Sequence, residues 1–177
     1  MAAIDLIVLG MIKKKPQSAY ELQKNVEYRN ISKWVKISTP SIYKKVIQLE
    51  TKGYLQSEIQ KDGKMPEKAI YSITESGEKQ FLYLMEEIAE NMINVFLDFN
   101  AVIMNLDLVS DDSKQILLER IGNNIDDLKN VLEFNQQKKK NIPLVGKTIL
   151  NQQYEIAVTL KEWIENFKEE YLGGRHE

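Results

Sequence analysis

Hydroxyl and ammonium side chains are concentrated in residues 38–45, where Ser38, Thr39, Ser41, Tyr43, Lys44 and Lys45 stand almost side by side. Hydroxyls bond phosphate oxygens or base edges and lysines neutralise phosphates, so this set suits contact with double-stranded DNA. A surface helix with merely solvated lysines has the same composition, and the choice between the two rests on the neighbouring elements. Lys61, Lys64 and Lys68 form a second cationic group further along. The side chains that carry out catalysis are scarce: there is no cysteine, and the single histidine, His176, sits in the terminal tail. Adjacent carboxylates such as Asp126 and Asp127 point apart on a helix, and no glycine-rich phosphate loop is present. No catalytic residue, metal or cofactor is therefore expected, and the chain reads as not an enzyme.

The first set needs a helix to aim it. Thr39 is a good N-cap, Pro40 suits the first helical position, and Gly53 can take the left-handed conformation just past the end. Ile42, Val46 and Leu49 make one apolar stripe, with Ser41, Tyr43, Lys44, Lys45, Gln48 and Lys52 on the flanks and far side. Two helices are predicted before it. Residues 4–14 are apolar on most sides and end in lysines before Pro16, while Ser18 and Glu21 form a capping box that opens a second helix to about Asn30. Trp34 follows, and suits packing into a core more readily than presenting a ligand platform. Residues 55–61 and 69–74 read as strands around an Asp62–Gly63 turn signal, giving a hairpin whose tip bears Lys61, Lys64 and Lys68. Three helices and a basic-tipped ribbon make a winged helix-turn-helix, whose third helix enters the major groove while the wing reaches nearby phosphates.

Charge follows the same division. Residues 1–74 hold 13 Lys/Arg against 7 Asp/Glu, a net of +6, whereas residues 75–177 hold 11 against 19, a net of −8. A basic half joined to an acidic half fits a polyanion-binding module attached to something else. The absence of cysteine suits a cytoplasmic location, the first residues lack the basic start of a signal peptide, and the apolar run 92–104 is too short and polar to span a membrane.

The motif ProGlnSerAlaTyrGluLeu at 16–22, Trp34, SerIleTyr with ValIleGlnLeuGlu and GlyTyrLeu within 41–55, and ProGluLysAlaIleTyrSerIleThrGluSerGly at 66–77 together resemble the PadR family of bacterial transcriptional regulators. The resemblance spans most of residues 4–77 in order. It implies a homodimeric winged-helix protein, most often a repressor, released from its operator by a small hydrophobic or aromatic compound. It carries over Ser41, Tyr43 and Lys68 as DNA contacts. Ala19, Lys44, Met65 and Ala69 depart from the family pattern, the last two where wing arginine or lysine is frequent.

The acidic half is helical. From Phe81 the apolar residues Met85, Ile88, Met92, Val95, Phe99, Val102 and Leu106 step by four and three, a sustained heptad seam with a break expected near Asp98–Asn100. A further helix opens at Ser110, and a last one runs from about Lys147 to Leu172. Long amphipathic helices without a sheet must bury their stripes against one another or against a second copy. The second copy is the reading adopted, with Phe81, Met85, Ile88, Met92, Ile164 and Phe167 as dimer contacts. An effector pocket lined by Trp34, Met92, Phe96 and Phe99 is the counterpart of plain core packing for these residues.

The fold class expected is mainly α with a small β-hairpin wing, an N-terminal winged helix-turn-helix over 1–77 and a C-terminal long-helix dimerisation domain over 78–177. Function follows as a DNA-binding regulator, a homodimeric repressor of a palindromic operator. Its contacts would come from Ser38, Thr39, Ser41, Tyr43, Lys44, Lys45, Lys64 and Lys68. A winged-helix protein adaptor without an operator is the alternative, and a helical scaffold with the winged helix as a cap is a third.

Overall fold

A computed structural model describes residues 2–61, 67–138 and 141–173. The chain divides into two units, Met1–Ile93 and Asn94–Glu177. The first holds α1 (Ala2–Lys14), α2 (Ala19–Tyr28), a 3-10 turn (Ile31–Lys33), α3 (Ser41–Thr51), β1 (Leu55–Gln60), β2 (Lys68–Ile73) and α4 (Glu75–Glu90). This is the winged helix-turn-helix that the sequence implied. Its core joins Val8, Leu9 and Ile12 of α1, Leu22 and Val26 of α2, and Ile42, Val46 and Leu49 of α3.

Local chemistry sets the element ends. The Ser18 hydroxyl accepts from the Glu21 N–H at 3.2 Å and the Glu21 carboxylate accepts from the Ser18 N–H at 2.9 Å, so the expected capping box opens α2. Gly53 takes φ +75° after α3, with its N–H donating to the Glu50 carbonyl and the Tyr54 N–H to the Leu49 carbonyl, a Schellman stop. The strands pair antiparallel from Leu55 with Ile73 to Gln60 with Lys68. Gln17 adds a short bridge to Tyr71 on the free side of β2. The turn signal Asp62–Gly63, together with Lys64, lies outside the described residues.

Helix α4 packs inside the first unit, although the sequence reading gave it to the second domain. The Phe81 ring covers Gly10 of α1, and Lys13 pairs with Glu78. The Thr74 hydroxyl accepts from the Gly77 N–H at 3.0 Å and donates to the Gly53 carbonyl at 2.6 Å, tying the start of α4 to the end of α3. The seam from Phe81 to Leu106 is not one helix. Helix α4 stops at Glu90, Asn91 is extended at φ −66° and ψ 139°, and helical structure resumes only at Asn100. The heptad steps continue, but Ile93, Val95 and Phe96 are exposed, and exposed apolar side chains add little packing to hold a helix together.

The second unit holds α5 (Asn100–Met104), a 3-10 turn (Leu106–Leu108), α6 (Asp111–Lys138) and α7 (Leu144–Gly173). Its core is Leu106, Leu118, Ile121, Ile125 and Ile164. Trp163, Phe167 and Tyr171 stack along the i, i+4 row of α7, and Phe99, just before α5, stacks on Trp163, with successive ring centroids 5.2–5.8 Å apart. Among the described residues no helix is long and apolar enough to cross a membrane.

Candidate nucleic-acid interface

Helix α3 separates its faces sharply. Ile42, Val46 and Leu49 are buried, while Tyr43, Lys44, Ile47, Gln48, Thr51 and Lys52 are exposed. The helix begins at Pro40 in effect, whose φ −60° and ψ −22° are already helical. The Thr39 carbonyl meets the first turn, accepting from the Ile42 N–H at 3.1 Å. The Ser41 hydroxyl donates to the Ser38 carbonyl at 2.5 Å, and the Thr51 hydroxyl to the Ile47 carbonyl at 2.9 Å. Phosphate oxygens only accept, so Ser41 must leave Ser38 before it can donate to one. Tyr43 and Lys44 are exposed.

Two of the expected lysine contacts are engaged inside the unit. Lys45 Nζ lies 2.7 Å from Asp5 Oδ1, both side chains being more than four-fifths buried, so it fastens α3 to α1. Position 45 lies only about 60° around the helix from Ile42, on the inner flank, which turns its stem toward α1. Lys68, at the start of β2, donates to Glu21 Oε1 at 3.2 Å. The Ser18 N–H and hydroxyl, followed by Lys68, hold the Glu21 carboxyl below its ordinary range, so that partner is a carboxylate at neutral pH. Lys61 faces Glu67 at 3.5 Å at the other strand end. Lys64 lies outside the described residues. Of the residues suggested for DNA, Tyr43 and Lys44 thus share the exposed side of α3, with Ser38 and Thr39 just before its first turn. Ile47 and Gln48 are exposed on the same side of α3, as helical spacing away from the apolar stripe requires.

The sequence model described as "Transcriptional regulator PadR-like family" matches residues 8–82, from α1 into α4. The match covers most of the winged-helix unit, which is similar to the PadR-like family. The family is one of transcriptional regulators rather than enzymes. Whole-chain likeness extends the fold. PadR of Bacillus subtilis in complex with operator DNA matches at TM-score 0.77 and 16% identity over 93% of this chain and 97% of that chain. The PadR-like regulator BC1756 of Bacillus cereus matches at 0.68 and 20% over 96% and 95%. The virulence activator AphA of Vibrio cholerae matches at 0.69 and 15% over 96% and 98%. No curated protein matches the chain by sequence.

The residues suggested for an effector are divided between the two units. Trp34, at the end of the 3-10 turn, is about one-third exposed, and Met92 lies just past α4. Phe96 and Phe99 belong to the second unit, Phe96 exposed and Phe99 stacked on Trp163. An open cleft of about 680 Å³ is instead lined by Ile7, Met11, Lys14, Asn25 and Arg29 among others in the first unit. The suggested dimer contacts also differ among themselves. Phe81 and Ile88 are half-buried and Met85 is exposed on α4. Ile164 is wholly buried in the core of its own unit, and Phe167 lies within the aromatic stack. Burial of that kind takes Ile164 out of reach of a second copy.

Proposed function

We propose that the chain is a DNA-binding transcriptional repressor that works as a homodimer on a palindromic operator, in the cytoplasm. The observation that carries this is the outer face of α3, where Tyr43, Lys44, Ile47 and Gln48 stand exposed above a fully buried Ile42, Val46 and Leu49. A rigid helix offering a phenol, an ammonium and a carboxamide on one side fits the width of the major groove. The B. subtilis relative bound to operator DNA supports the same use of the fold. The dimer rests on apolar side chains that a single copy leaves exposed, among them Met85 of α4 and Leu128, Val131 and Ile156 of the second unit. Release by a small aromatic compound is supported by the B. subtilis relative in complex with p-coumaric acid. A protein adaptor is the second reading, favoured by the pairing of Lys61 and Lys68 with carboxylates, which leaves the wing less cation to offer phosphate.

Selection of the purified protein against randomised duplexes tests the proposal. A palindromic sequence should be enriched and bound about a thousandfold more tightly than its shuffled counterpart at matched salt, with affinity falling steeply as salt rises. Equal weak binding to all duplexes and no enriched sequence would remove the DNA reading and favour the adaptor.

A further inference from the structure

The middle of the outer face of α3 is aliphatic. Ile47 is 56% exposed, one turn beyond Tyr43, and lies about 140° around the helix from Ile42. The core does not use it, because Ile42, Val46 and Leu49 already fill that side completely. Its neighbours carry polar groups: Lys44 and Gln48 on one flank and Tyr43 on the other, with Thr51 one turn on. The Thr51 hydroxyl is turned back onto the Ile47 carbonyl, so it adds no polar reader beside the isoleucine.

We propose that Ile47 recognises a thymine through its 5-methyl group, which makes it a sequence-determining residue of the α3 face. The inference rests on the DNA reading above and sharpens it. In the major groove the thymine methyl is the one apolar group presented by the base edges, and every other feature there is a hydrogen-bond donor or acceptor. An aliphatic side chain in the groove leaves donors and acceptors dehydrated unless it meets that methyl. Gln48 supplies the complement, since its carboxamide can bond adenine N6 and N7 in a bidentate pair. Adenine and thymine share a base pair, so adjacent Ile47 and Gln48 together favour A·T pairs under the helix. Lys44 is left to hold a phosphate.

The enriched duplex from the selection above provides the test. Each thymine is replaced singly by deoxyuridine, which deletes only the methyl, and dissociation constants are measured for the wild-type protein and for Ile47→Ala. At one thymine of each half-site the wild type should lose about three- to fivefold in affinity, the worth of one buried methyl. Ile47→Ala should be insensitive to that same replacement while keeping the wild-type preference at the other positions. Ile47 is exposed, so the variant should fold, and the wild-type measurements do not depend on it. A wild type indifferent to deoxyuridine at every thymine would overturn the inference, as would an unchanged penalty in Ile47→Ala. Failure to enrich any duplex is a separate outcome, which overturns the DNA reading and this inference with it.

Discussion

Lys44 and Lys45 are neighbours in sequence with opposite surroundings, and that contrast is testable. Lys44→Ala should weaken binding to all duplexes alike and reduce the slope of log affinity against log salt by about one unit, with no change in urea unfolding. Lys45→Ala should leave Asp5 largely buried without its cation and cost about 2 kcal/mol in urea unfolding, with little change in salt slope. Reversed outcomes would exchange the two roles. Periodicity made the buried stripe of α3 legible, and with it the outward direction of Tyr43 and Lys44. It gave no partner for a lysine on the flank, because Asp5 lies on another helix and only folding brings it near. Ile47 was legible in principle, as an apolar residue out of phase with the stripe.

At the scale of elements, caps and glycines carry most of the information. Glu21 has its carboxyl held below the ordinary value of 4.5, chiefly by the Ser18 N–H and hydroxyl at the start of α2. A depressed carboxylate stabilises the fold above its unfolded pKa, and this contribution is lost as pH falls through the lower folded value. Glu21→Gln should therefore lower the melting temperature at pH 7 and converge on the wild type in acid below that value. The effect should stay within about 1 kcal/mol, since the side chain is 44% exposed and solvent screens it. Gly77 shows a different constraint. A Cβ there would sit 2.0 Å from the Tyr54 carbonyl oxygen, which is backbone and cannot rotate away. Gly77→Ala should cost about 1–3 kcal/mol or more by forcing α4 off the start of the wing, read as a lower denaturation midpoint. The capping box and the Schellman glycine were visible in the sequence because each is a local pattern. The contact at Gly77 joins residues far apart in the chain, and the end of α4 at Glu90 was hidden by heptad steps that run straight through it.

At the scale of the molecule, a basic first stretch and an acidic later one were legible from composition, while the boundary between the units after Ile93 and the burial of Ile164 were not. A seven-residue repeat marks a face to be covered without saying by what. In α6 and α7 the chain's own core accounts for Leu118, Ile121, Ile125 and Ile164, and the row leaves Leu128 and Val131 exposed beyond it. In the homodimer proposed above, a second copy would cover that continuation of apolar residues past the core. Val131, at 58% exposure, can be changed without opening the core. Val131→Asp should keep the helical content and unfolding midpoint but halve the mass in sedimentation equilibrium. One winged helix then grips one half-site, so affinity for the palindromic duplex should fall by about a hundredfold or more while affinity for an isolated half-site stays constant. A variant that remains dimeric would place the interface elsewhere, with exposed Met85 of α4 the next side chain to alter. A variant that becomes monomeric yet keeps its palindrome affinity would separate dimerisation from recognition, leaving the α3 face to account for binding alone.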